Sequence, residues 1–179
     1  MITKLCEIAQ TYRTDKAGWY TPFYSLLFEP RRQEIKKVLE VGIGTKEAMS
    51  HVDGYLPGAS LFMWRDYFPR AEVWGVDLDP AVMVLAPGIR SVHSDSRNPE
   101  LPAKLPSDFD LIVDDGSHSA DAQADTFVNL INLVRDGGLY IVEDAEEWRD
   151  LSDRLEGYTH HIVLSPLRAG SGKLIVIQK

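Results

Sequence analysis

The chain has 179 residues, a formal charge of −8, and 44% hydrophobic and 26% charged residues. That size and balance fit one domain of an ordinary soluble protein, and the acidic excess argues against a nucleic-acid or anionic-membrane partner, either of which wants a basic face. The single cysteine, Cys6, excludes an internal disulfide and a thiolate zinc cluster; with no bilayer-length apolar run and no signal peptide, the expectation is a cytoplasmic enzyme or binding protein.

Ile2, Leu5, Ile8, Ala9 and Tyr12 recur at helical spacing and predict a short amphipathic helix. A polar, aromatic loop follows at 14–20, TDKAGWY. Thr21-Pro22 then reads as an N-cap with proline at the first helical position, opening a helix that ends near Pro30. Residues 38–44, VLEVGIG, are an apolar run too short for a helix and suited to a buried parallel strand. Gly42 and Gly44 allow a sharp turn and a close backbone approach to a ligand. Glu40 sits inside that strand; a buried carboxylate is costly unless paired, so it is expected to face a polar ligand or loop amides.

Residues 45–59 hold Gly54, Pro57 and Gly58 and form a connection of the length that covers sites in compact domains. Ser60 is expected to cap a helix burying Leu61, Trp64 and Phe68, stopped by Pro69. Strands are predicted at 72–79, 89–95 and 110–115. A helix is predicted over 120–135, with Ala124, Phe127, Leu130, Ile131 and Val134 on one face and Gly137-Gly138 closing it. A fifth strand at 139–142 and a polar helix at 146–155 follow. The runs 161–164 and 174–177 are joined by a link, 165–173, too short for a helical crossover, so they are expected to pair antiparallel. The alternation before them implies a parallel sheet with helices on both faces.

In such a sheet, ligands bind beyond the carboxyl ends of the strands. Glu40, Asp77, Asp95, Asp114, Asp115, Glu143 and Asp144 all fall at or near those ends, and clustered carboxylates repel unless a cation or protons sit among them. Asp77 is placed to accept two ribose hydroxyls, and Asp95, with the backbone of Ser96 beside it, to accept an adenine amine. Asp115, Glu143 and Asp144 offer hard oxygens suited to Mg2+. His118, three residues after Asp115, is positioned to take a proton from a hydroxyl whose pKa a metal lowers. His51, His93, His160 and His161 are read as structural or exposed.

The E-x-G-x-G at 40–44 looks like the first motif of class I S-adenosylmethionine (SAM) methyltransferases. With DDGSH at 114–118, the segment GASLFMWRDYFPRAEVWGVDLD, GGLYIVEDA and TDKAGWYTPFY, the chain resembles the metal-dependent sugar O-methyltransferases of macrolide biosynthesis, from about Thr14 to Asp144. The resemblance implies one Rossmann-like α/β methyltransferase domain over 1–179, with a helical N-terminal segment at 1–37 and a core at 38–179. That core is a mostly parallel seven-stranded sheet ending in an antiparallel hairpin. It also implies SAM bound around Glu40, Gly42, Gly44, Asp77, Asp95, Ser96 and Asp114, Mg2+ held by Asp115, Glu143 and Asp144, His118 as general base, and a small, hydroxylated, sugar-containing acceptor. The family carries a glutamate in the N-terminal segment that helps hold the metal, where this chain has Ser25; Glu29 stands at the wrong spacing. It also carries a further N-terminal domain that shapes acceptor site and oligomer, so acceptor identity and homo-oligomerisation stay open. Two other classes remain: a SAM- or nucleotide-binding protein without catalysis, and an NAD-dependent oxidoreductase, against which the missing third glycine after Gly44 counts.

Overall fold

The computed structural model describes residues 2–155, 157–164 and 172–179. Its seven strands are β1 (Lys37–Val41), β2 (Glu72–Asp77), β3 (Ile89–His93), β4 (Phe109–Asp114), β5 (Val134–Val142), β6 (His160–Leu164) and β7 (Lys173–Gln178). They form one sheet in the order β3-β2-β1-β4-β5-β7-β6. The first five run parallel, and β7 inserts antiparallel between β5 and β6. Apart from Gly172 and Lys173, the link expected at 165–173 lies outside the described residues. Among the described residues, no helix is long and apolar enough to cross a membrane.

Strand alternation explains why both faces are buried. Val38, Leu111, Val113 and Ile141 pack in one core with α1 (Lys4–Tyr12), α2 (Thr21–Phe28) and α3 (Ala59–Tyr67). Leu39, Ile112, Tyr140 and Val142 pack in the other with α4 (Ala120–Leu130) and α5 (Trp148–Arg154). Successive side chains point to opposite faces, so neighbouring residues at each strand end are committed to opposite layers. That rule sorts the strand-end acids.

β2 and β3 stop at Asp77 and His93, short of the expected ends at 79 and 95, and the helices depart from the sequence expectations at three places. α2 begins at Thr21 with Tyr20 as its N-cap, and Thr21 Oγ1 accepts from Gly18 N at 3.1 Å. Gly58, in the left-handed region at φ +82°, caps α3, and Ser60 lies inside the helix. α4 ends at Leu130, and the chain passes through a 3-10 turn at Ile131–Leu133 into β5. Ile131 and Val134 are still buried there, so their apolar spacing is satisfied without a helix. Gly137 and Gly138 lie within β5, where the register against β4 shifts between Phe109 and Leu111. A Cβ on Gly138 would stand 3.0 Å from Phe109 O, and Gly137 has φ +74°. The glycines therefore build a bulge rather than a helix stop.

Candidate active site

The ends of β1, β2 and β4 meet around the glycine loop. Gly42 N donates to Val76 O at 2.8 Å and Asp115 N to Val41 O at 2.9 Å. Gly42 has φ +89°, and a Cβ there would lie 2.1 Å from Asp115 O, so only glycine lets the two strand ends close. The Asp77 carboxylate holds the loop from the other side: Oδ2 accepts from Ile43 N at 2.7 Å and Gly44 N at 3.3 Å, and Oδ1 from Asp79 N at 2.9 Å.

Above these ends opens a cleft of about 640 Å³. Gly42, Gly44, Asp77, Asp95, Ser96, Asp115, His118 and Asp144 all line it, as the strand-end argument requires. Thr45, Ala48, Met49 and Tyr55 of the long connection form another wall, pinned where Tyr55 Oη donates to Ile43 O at 2.9 Å. His51, read from sequence as structural, also lines the cleft. Asp95 is clamped by Arg97, whose Nη2 lies 2.8 Å from Oδ2, and this bond holds its carboxyl below the usual range.

Three of the acids singled out in the sequence are not in the cleft lining. Glu40 shares a face with Val38 and points into the α3 layer, where Trp64 Nε1 donates to it at 2.7 Å. Asp114 points to the opposite layer, accepting from Tyr140 Oη at 3.1 Å and Gly116 N at 3.3 Å. Burial pushes Asp114 up to about 7 against those two bonds. Glu143, expected beside the metal, is fully buried and accepts from Tyr24 Oη at 2.7 Å. The next residue, Asp144, turns back to the cleft with a left-handed φ of +45° and accepts from Tyr20 Oη. Backbone strain of this kind persists where surrounding contacts over-determine it. Tyr20 is thus buried against an acid, while its neighbour Trp19 remains partly exposed.

Sequence reasoning required a cation among these acids and missed one that the chain itself supplies. Lys16, 1% exposed, places Nζ 2.6 Å from Asp115 Oδ2 and 2.8 Å from Glu143 Oε2. Glu40 Oε1 lies 3.2 Å away, outside hydrogen-bond geometry, so that contact is Coulombic. Burial alone would strip the lysine of its proton, but Asp115, Glu143 and Glu40 outweigh it and raise its pKa well above the usual value. Burial also raises all three carboxyl groups, Glu40 to about 7, with Lys16 opposing the rise. The Lys16 ammonium is thus the counter-charge that the chain itself places among these acids. The available signal was the TDK loop itself, a lysine among aromatics and small residues, in a chain whose acids needed a counter-charge.

Asp115, His118 and Asp144 each present one ligand atom, all within 4.8 Å of one another. Asp115 Oδ1 lies 3.8 Å from His118 Nε2, beyond hydrogen-bond length, and the His118 side chain is half exposed. Two carboxylates at one point are a fitting donor set for a hard divalent ion, which completes its shell with water and substrate oxygen. Ser25 and Glu29 lie elsewhere: Ser25 Oγ donates to Thr21 O at 2.7 Å, and Glu29 accepts from Tyr67 Oη at 2.8 Å.

The strand order with its reversed last pair, and a cleft over the glycine loop, define the Rossmann-like fold of class I methyltransferases. The mycinamycin-pathway methyltransferase MycE, solved with Mg, SAH and mycinamycin VI, superposes with a TM-score of 0.79 at 25% identity, over 99% of this chain and 54% of that one. No protein-family model matches the chain. Its homologues are sugar O-methyltransferases of macrolides and related polyketides. It is 34% identical over 146 residues to mycinamicin VI 2''-O-methyltransferase of Micromonospora griseorubida, covering 78% of this chain and 35% of that enzyme. It is 36% identical over 147 residues to demethylmacrocin O-methyltransferase of Streptomyces fradiae, covering 78% and 36%. The chain therefore spans about a third of the length of the curated relatives it matches.

Proposed function

We propose that the chain is a SAM-dependent, Mg2+-assisted O-methyltransferase domain acting on a hydroxyl of a small, sugar-containing acceptor. The observation that carries this reading is the convergence of Asp115, His118 and Asp144 in the same cleft as the glycine loop and Asp77. The likeness to sugar O-methyltransferases, one of them solved with Mg and SAH, supports the donor, the ion and the acceptor class.

Asp77 and the 42–44 backbone would hold the nucleoside end of the donor, and Ser96 and Asp95 would border its base. Asp115 and Asp144 would hold Mg2+, which lowers the pKa of a hydroxyl beside it. A hard cation would prefer these oxygens to an imidazole nitrogen, so His118 would be available as a base. His118 would take the acceptor's proton, and transfer of the methyl group from the donor's sulfonium to the acceptor oxygen would release the donor as a neutral thioether, with the cleft contributing orientation and electrostatic support. Tyr20 and Lys16 fix the two acids from behind.

The test is methyl transfer from labelled SAM to a panel of glycosylated macrolides, with and without EDTA, alongside calorimetry with SAM and with NAD. Transfer that EDTA abolishes while SAM still binds is the expected outcome. SAM binding without transfer to any acceptor identifies a binding module, and preference for NAD identifies an oxidoreductase.

A further inference from the structure

Asp115 is a shared carboxylate. Its Oδ2 bonds the Lys16 ammonium at 2.6 Å and its Oδ1 lies 3.8 Å from His118 Nε2, and the same carboxylate belongs to the donor group with His118 and Asp144. The ammonium is not free to swing aside. It is buried, it bonds Glu143 at 2.8 Å, and Tyr24 holds Glu143 at 2.7 Å. Any second cation that takes Asp115 must therefore lie against a fixed positive charge on the same carboxylate. Like charges this close, away from water, repel strongly.

We propose that Lys16 is the resident counter-cation of this carboxylate cluster and sets the divalent-cation affinity of the Asp115–Asp144 pair, holding it weaker than the two carboxylates alone would make it. The inference rests on the metal reading above. It gives Lys16 two linked effects: the buried acids have a counter-charge before any metal arrives, and the metal site stays exchangeable. Lys16 is thus a tuning residue for the ion rather than a catalytic residue.

The test is Mn2+ affinity, by calorimetry or by the signal of free Mn2+ in electron paramagnetic resonance, for wild type and Lys16→Met. Lys16→Met should bind Mn2+ at least about tenfold tighter, and Mn2+ should raise its melting temperature further than that of wild type. Equal or weaker binding overturns the proposal, because a lysine that only supports packing would not strengthen the site when removed. Should Lys16→Met fail to fold, the comparison moves to the Glu143→Gln background, where one of the three acids around Lys16 is already neutral. There Lys16→Met/Glu143→Gln must bind Mn2+ at least about tenfold tighter than Glu143→Gln alone. If none of these proteins binds Mn2+, the metal reading and this inference fall together. If they bind it equally, the inference falls alone.

Discussion

Replacing Gly42 with alanine tests whether the glycine loop and Asp115 form one unit. Two costs add at this position. The left-handed φ of +89° costs an L-residue about 1–2 kcal/mol. The new Cβ would also stand 2.1 Å from Asp115 O, a backbone atom that cannot rotate away. β1 and β4 must then separate at their ends, which forfeits the 2.9 Å bond from Asp115 N to Val41 O and loosens its neighbours. Each lost bond is worth about 1 kcal/mol. Gly42→Ala should thus lose about 3–4 kcal/mol of stability, a sum of the φ cost and the separation of the strands. Gly18 supplies the control, because it has φ +80° with nothing within 4 Å of an added Cβ. Gly18→Ala should lose only about 1–2 kcal/mol. Urea denaturation of both variants gives the comparison, and the Mn2+ affinity of Gly42→Ala reports whether Asp115 has moved. Losses within about 0.5 kcal/mol of each other, the additivity margin of independent sites, would refute the close-approach argument.

Asp77→Ala removes the acceptor for two backbone N–H groups of the glycine loop and for Asp79 N, and should weaken SAM binding by about 1.5–3 kcal/mol, the range for bonds to a charged group; unchanged affinity by calorimetry counts against the assignment. His118→Ala should leave melting temperature and SAM affinity nearly intact and slow single-turnover transfer about 10²–10⁴-fold, so a rate within a few-fold of wild type rejects it as the base. Glu40 has a folded pKa of about 7 against 4.5 for an ordinary glutamate, so its contribution to stability is fullest below 4.5 and is lost as pH rises to about 7. Glu40→Gln should flatten that fall by up to about 3 kcal/mol across the window, and parallel wild-type and mutant stability curves from pH 4 to 8 would contradict it.

The layers and the strand-end cleft were legible because they follow from apolar periodicity and from the geometry of parallel sheets. Asp115, His118 and Asp144 come together in the cleft for the same reason: all three fall just beyond adjacent strands. Position along the chain did not settle which way a side chain faces. Glu40 and Asp115 both stand at strand ends, yet the pleat sends Glu40 under Trp64 and leaves Asp115 lining the cleft. All the strand-end acids were expected on one rim, and alternation separates Asp114 from Asp115 and Glu143 from Asp144. Gly137-Gly138 misled because a double glycine serves a helix stop and a β-bulge equally well; the pairing partner Phe109 decides between them. Lys16 was missed because its partners lie far along the chain.

That distance has a kinetic consequence. Lys16 meets Asp115 across 99 residues and Glu143 across 127, and Tyr20 and Tyr24 reach Asp144 and Glu143 across 124 and 119. During synthesis the lysine emerges long before its acids, and the acids arrive without a counter-charge until residues 14–24 dock. Contacts this remote carry the full cost of loop closure before they reward it. The cleft should therefore form after the sheet, as a distinct slow event that lower pH accelerates by protonating the waiting carboxylates.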